Sequence, residues 1–195
     1  MVEMEKLKEP LLLSGGANGA DLQWGMNAGK NGHSVIHWSF TEHNTEAPDN
    51  EVYRLTDQQL KETEEYLKKA NETLKRKIPY SKPYMYKLLC RNYFQVFSSN
   101  YLYAVTSFDK NNMVQGGTAW AVQMFIDNNK PNDNLFIFDQ ENNTWNKWVG
   151  FKINKPVFLN IDENEVLKPS KIWTGIGSRN LMDTGKNAIR NLLNE

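Results

Sequence analysis

Short apolar runs alternate with amphipathic stretches along most of the chain, and glycines often stand at the joins. Leu11 to Leu13 is an apolar run of strand length. Ser14-Gly15-Gly16-Ala17-Asn18-Gly19 then removes nearly every bulky side chain, and Asp21 to Met26 carries a mixed pattern that a helix can use. Ser34 to Phe40 is rich in β-branched and aromatic residues and predicts a second strand, with Gly29 and Gly32 suiting the helix end and turn before it. Residues 41–54 are polar, contain Pro48 and read as a loop. From Leu55 to about Lys77 the chain is charged and glycine-free, with Leu60, Leu67 and Leu74 at seven-residue spacing, which predicts one long helix. Tyr86, Leu89, Cys90, Tyr93 and Phe97 fit helical spacing over residues 84–97. Tyr101 to Phe108 predicts a third strand, and Gly116-Gly117-Thr118 opens a helix running to about Asn128. Pro131 to Asn134 reads as a turn and Leu135 to Phe138 as a fourth strand ending at Asp139. Residues 140–154 suggest a hairpin-like excursion and Pro156 to Leu159 a short strand. Last come a strand from Lys171, then Gly175 and Gly177, and a helix through Leu193.

Strands alternating with helices predict an α/β fold: a three-layer domain with a mainly parallel central sheet and right-handed crossovers. No repeat, low-complexity tract or linker interrupts the sequence, so residues 1–195 read as one domain. Three strand-to-helix turns carry glycines, around Gly15, Gly116 and Gly175. In such sheets these turns gather at the carboxyl edge of the strands, where ligands bind. Glycine lets a ligand approach the backbone, and a helix N-terminus favours an anion. One glycine turn can be purely structural; three on one rim point to a cleft for a phosphate-bearing ligand.

Charge narrows the choice of partner. Lys plus Arg equals Asp plus Glu at 23 each, so no global positive field recommends nucleic acid or an anionic membrane. No apolar run approaches the roughly 20 residues of a membrane helix. The charged start, Met1 to Lys6, lacks a signal-peptide core, so the expectation is a soluble cytoplasmic protein. Cys90 is the only cysteine, which rules out an intrachain disulfide, and its apolar neighbours suit a buried thiol better than a nucleophile.

The candidate ligand residues follow from the turns. Ser14, Gly15, Gly16, Ala17, Asn18 and Gly19 form the first loop, where the glycine N–H groups would cradle phosphate. Asp21 either holds a ribose hydroxyl or caps its helix. Arg91, beside Asn92, either clamps phosphate or makes a surface ion pair. Gly116, Gly117 and Thr118 form the second loop, and Trp120 is the candidate for stacking on a base while the other tryptophans pack the core. Asp139 either meets ligand or caps a turn. Ser178 and Arg179 enter the last helix beside glycines. His33, His37 and His43 lack the spacing of a metal site, and no metal is expected.

These segments resemble the SLOG superfamily of Rossmann-like proteins. Ser14-Gly15-Gly16-Ala17-Asn18-Gly19-Ala20-Asp21 is similar to the opening of the YspA-type and molybdenum-carrier families. Gly116-Gly117-Thr118-Ala119-Trp120-Ala121 resembles a later segment of the same group, and Arg91-Asn92 the pair before its third strand. Phe138-Asp139-Gln140 with Trp145 and Trp148 adds to the likeness, which spans residues 11 to 150. Thr174 to Asn180 resembles the first-strand loop of DprA-like domains, here late in the chain. It would add a strand beside the first or supply a phosphate-facing Arg179.

The resemblance implies a nucleotide-like ligand, with a pterin-phosphate cofactor as the variant that the molybdenum-carrier name suggests. It also implies a homo-oligomer, for which the leucine spacing at residues 60–74 offers a seam. In the Lonely-guy branch an Arg and a Glu cleave the N-glycosidic bond of a nucleoside monophosphate. Gln123 stands where that pattern has its Glu, and an amide is neither base nor anion. The expectation is therefore a carrier, sensor or sequestering protein, with Gln123 contacting ribose and no catalytic residue assigned. The alternative is a phosphoribohydrolase whose carboxylate comes from Glu42, Glu46 or Asp139. A DprA-like single-strand binder is disfavoured by zero net charge and the absence of interleaved aromatic and basic residues.

Overall fold

The computed structural model describes residues 7–128 and 134–194. The expected Pro131–Asp133 part of a turn and the Met1–Lys6 segment lie outside them. The fold is α/β: a mixed, mostly parallel sheet of eight strands between two helical layers, consistent with a three-layer Rossmann-like fold. In chain order the strands are β1 (Leu11–Ser14), β2 (Ser34–Phe40), β3 (Val52–Leu55), β4 (Tyr101–Thr106), β5 (Leu135–Asp139), β6 (Thr144–Lys152), β7 (Lys155–Ile161) and β8 (Ile172–Gly177). They lie side by side as β3-β2-β1-β8-β4-β5-β6-β7. Among the described strands only β6 is reversed, antiparallel to both β5 and β7; the hairpin-like excursion expected within residues 140–154 is a longer β6–β7 hairpin that takes in the short strand expected at Pro156 to Leu159.

Alternation along the central strands builds both cores. Leu102 and Ala104 of β4 and Leu135 and Ile137 of β5 face one helical layer, while Tyr103, Val105, Phe136 and Phe138 face the other. The first layer holds α2 (Asp57–Glu62), α3 (Glu64–Leu74), α4 (Pro83–Val96) and α5 (Thr118–Asp127). The second holds α1 (Ala20–Lys30) and α6 (Asp183–Leu193), packed around Trp24 and Trp173.

Four local expectations change. Residues 52–55 form β3, paired with β2 at the sheet edge, not loop; Val52 and Leu55 are buried while Arg54 stays exposed, a pattern too short to stand out in a polar stretch. The long helix is two helices. Thr56 starts α2 with a capping box shared with Gln59, and the Thr63 hydroxyl, donating to the carbonyls of Leu60 and Cys90 at 2.8 and 3.1 Å, marks the break before α3. The leucine seam faces inward: Leu60 and Leu67 are buried and Leu74 packs against the same core, so it offers no surface to a second copy. Finally, β4 ends at Thr106, and Phe108 instead makes an isolated bridge with Val114.

The late strand β8 is central. It runs parallel between β1 and β4, with Leu12 beside Trp173 and Tyr103 beside Gly175. Glycine is required there because a Cβ at Gly175 would sit 2.6 Å from Cγ of Trp24. Gly175 and Gly177 thus belong to the strand, and the turn after it begins at Ser178.

Candidate functional site

Because β1, β8 and β4 are parallel neighbours, their carboxyl ends open on one side. The turns after them are stitched together. Ala20 N donates to Ser178 O at 3.0 Å, and Ser178 N donates to Val105 O at 2.8 Å. The Ser14 hydroxyl donates to Gly175 O at 2.6 Å. Above these ends lies a cleft of 340 Å³, within the range of small-molecule sites. Helix α4 forms one wall through Leu88, Arg91, Asn92 and Gln95, and the start of α5 forms another through Gly117 and Thr118.

Much of the expected site converges here. Ala17, Asp21, Arg91, Asn92, Gly116, Gly117, Thr118, Ser178 and Arg179 line the cleft. Ser14, Gly15, Gly16, Asn18 and Gly19 do not. Ser14 is spent on β8, and Asn18 is exposed and reaches Glu46 Oε1 at 3.4 Å. Gly15, Gly16 and Gly19 serve packing. A Cβ at Gly15 would collide with Gln95, Arg91 and Asp21. Gly19 has φ 101°, and a Cβ there would stand 2.5 Å from the carbonyl oxygens of Ser178 and Arg179; Gly16 has φ 64° with Thr45 2.8 Å from its missing Cβ. The anion cradle expected from these three glycines is thus a junction between loops.

Three expected residues fall elsewhere. Trp120 is buried in the core among α3, α4 and α5, not at the cleft. Gln123 is buried on the same helix and donates to Asp127 Oδ1 at 2.7 Å, so it contacts no ribose in this cleft. Asp139 ends β5 and accepts from Glu141 N and Asn142 Nδ2, which makes it a turn cap. Glu42 is exposed and pairs with Lys87, and neither Glu42 nor Glu46 lines the cleft.

The chemistry concentrates at the junction of α1 and α4. Arg91 is 4% exposed; its Nη1 donates to Gly15 O at 2.8 Å and its Nη2 lies 3.6 Å from Asp21 Oδ2. Asp21 Oδ1 accepts from Gly177 N at 3.1 Å. Burial raises the Asp21 carboxyl above its ordinary value, opposed by the Arg91 charge and the Gly177 N–H. Behind Arg91, His43 lies 3.0 Å from the Ser39 hydroxyl, and its ring is pushed down to about 3 by burial and then by Arg91. His37 is wholly buried and is held to about 4 for the same two reasons. Both rings are neutral near pH 7, so among the described residues Arg91 and Arg179 are the cations of the cleft lining and Asp21 its acidic side chain.

Two donors of this wall are unmet. Among the described residues Arg91 Nε and Gln95 Nε2 are buried without a hydrogen-bond acceptor. Gln95 leans toward the Asp21 carboxyl without reaching hydrogen-bond geometry. Gln95 escaped the sequence reading, although it stands one helical turn after Arg91 on the same face. Ser107 and Gln115, also on the lining, were hidden in the turn after β4. The start of α5 has no side-chain cap, which leaves its positive end toward the cleft.

No family model, curated protein or solved structure matches the chain.

Proposed function

We propose that this cleft binds a small phosphorylated nucleotide or a nucleotide-derived signal, and that the protein acts as its carrier, sensor or sequestering agent. The observation that carries the reading is the pair of buried donors without acceptors, Arg91 Nε and Gln95 Nε2, on the wall of a cleft at the carboxyl ends of three parallel strands. Buried donors in native proteins are nearly always paired, so the wall asks for an acceptor-rich partner. Arg179 at the rim and the uncapped start of α5 add positive charge on the same side. The resemblance of the loop sequences to SLOG proteins agrees with this ligand class, with a pterin phosphate as its variant, and carries with it an assembly of several copies in the cytoplasm.

One observation favours a hydrolytic second reading. Asp21 puts a buried carboxyl on the cleft lining, in the kind of position a developing sugar cation needs. The experiment is calorimetry with nucleosides, nucleoside mono- and diphosphates and a pterin phosphate, alongside an assay for released base. Tight binding of phosphorylated ligands without base release is expected. Equal affinity for nucleoside and nucleotide would overturn the phosphate reading, and multiple turnovers abolished by Asp21→Asn would turn the carrier into an enzyme.

A further inference from the structure

A second pocket, of 170 Å³, opens where α3, α4 and α5 meet, and it shares no lining residue with the cleft. Its chemistry is the reverse of the cleft's. Tyr66, Tyr93 and Phe97 wall it, with the rings of Tyr66 and Tyr93 4.2 Å apart and those of Tyr93 and Phe97 4.7 Å apart. Val96 and Met124 add apolar surface, and Asp127 and Asn128 complete the lining with Lys69. The carboxyl ends of α4 and α5 both fall here, and each carries the negative end of a helix dipole.

The decisive feature is again a deficit, this time of donors. Among the described residues Asp127 Oδ2 is a buried acceptor with no hydrogen-bond partner, although Gln123 Nε2 holds the other carboxylate oxygen. Lys69 donates to the main-chain oxygen of Asp127 at 3.2 Å and is not among the ion pairs of its carboxylate. Burial raises the carboxyl above its ordinary value, opposed by the Gln123 amide and by the Lys69 charge. Aromatic faces, two helix carboxyl ends and the unmet Asp127 oxygen all favour a positive group that can donate hydrogen bonds.

We infer that this pocket binds the ammonium end of a small organic amine, the nitrogen against Asp127 and the carbon chain along Tyr93, Phe97 and Met124. The site is separate from the cleft and does not depend on its ligand.

The test is a titration of the full chain with propylammonium chloride at constant ionic strength, followed by the ring resonances of labelled Tyr and Phe. Tetramethylammonium serves as a cation without donors. Saturable shifts at Tyr93 and Phe97 are expected with propylammonium. The affinity should be about tenfold or more weaker in Asp127→Asn, the loss expected for a hydrogen bond to a charged group. Absence of saturable shifts in the wild type, or unchanged affinity in Asp127→Asn, would overturn the inference. Equal binding of tetramethylammonium would overturn its donor requirement. Should Asp127→Asn fail to fold, Phe97→Ala decides: that ring is exposed enough to remove safely, and undiminished affinity there sinks the site.

Discussion

The Arg91 guanidinium reaches from the middle of α4 to donate to the carbonyl of Gly15 at 2.8 Å, tying the first glycine turn to the helix above it. One side chain thus holds the loop, balances Asp21 and presents an unmet Nε on a residue of the cleft wall. Arg179, by contrast, is exposed at the rim and makes no ion pair among the described residues.

The two arginines should therefore separate under mutation. Arg179→Ala is expected to weaken a phosphorylated ligand by about 1.5–3 kcal/mol and to leave stability within about 0.5 kcal/mol. Arg91→Ala leaves Asp21 a buried charge without its cation, and is expected to cost about 3–5 kcal/mol of stability. Calorimetry and urea unfolding on both variants read this. Equal destabilisation by both, or no loss of affinity in Arg179→Ala, would remove Arg179 from the site.

Gly117 offers a clean probe of backbone approach. It caps α5 in a right-handed helical conformation, and a Cβ there would meet only Leu89, at 3.8 Å. Gly117→Ala should fold as well as the wild type or gain up to about 1 kcal/mol through the unfolded chain. Its affinity for the nucleotide should fall, because the methyl group stands between ligand and helix end. Gly16→Val cannot serve, since its positive φ and the nearby Thr45 and His37 would strain the fold itself. Unchanged affinity in a folded Gly117→Ala protein would show that the ligand does not touch this backbone.

Acid should expose the buried imidazole. His37 in the fold is held to about 4 against an ordinary value of 6.5. Between those values the unfolded chain binds a proton that the folded chain refuses, so stability from this group falls as pH drops from 6.5 to 4. The full effect is about 3 kcal/mol, at roughly 1.4 kcal/mol per pH unit. Asp21 acts with the opposite sign, because its raised carboxyl favours the folded state at low pH. Comparing urea unfolding of wild type and His37→Leu at pH 4.5 and 7 isolates the ring. Parallel pH profiles for the two proteins would show that the ring titrates normally.

The layered fold was legible because strong local signals carried it. Leu135 to Phe138 and Leu102 to Val105 are buried on both faces, and a continuous apolar run advertises that. Placement of the loop residues was only half legible. Glycine types announce a junction, yet Gly15 and Gly19 are small because neighbouring chain crowds them, while Gly117 is small beside open cleft. Sequence cannot distinguish a glycine crowded by protein from one bared to a ligand. Gln123 misled for a related reason: its motif neighbours Gly116 and Gly117 do line the cleft, but helical rotation carries the amide to the other side, beside Asp127. The break at Thr63 was invisible because its cause, a bond to the carbonyl of Cys90, comes from a distant helix.

The position of β8 also sets an order of events during synthesis. Strands β1 to β3 pair among themselves, and so do β4 to β7, but the two groups touch within the sheet only through residues 172–177. A nascent chain leaving the ribosome can assemble each half early, and then must wait. Until the late strand slides between them, each half has an open edge flanking an empty slot, the kind of surface that recruits another chain. The cleft cannot exist before that insertion, since its floor includes Ile176 and Gly177. A ribosome stalled upstream of residue 172 would therefore hold two hungry half-sheets and no binding site.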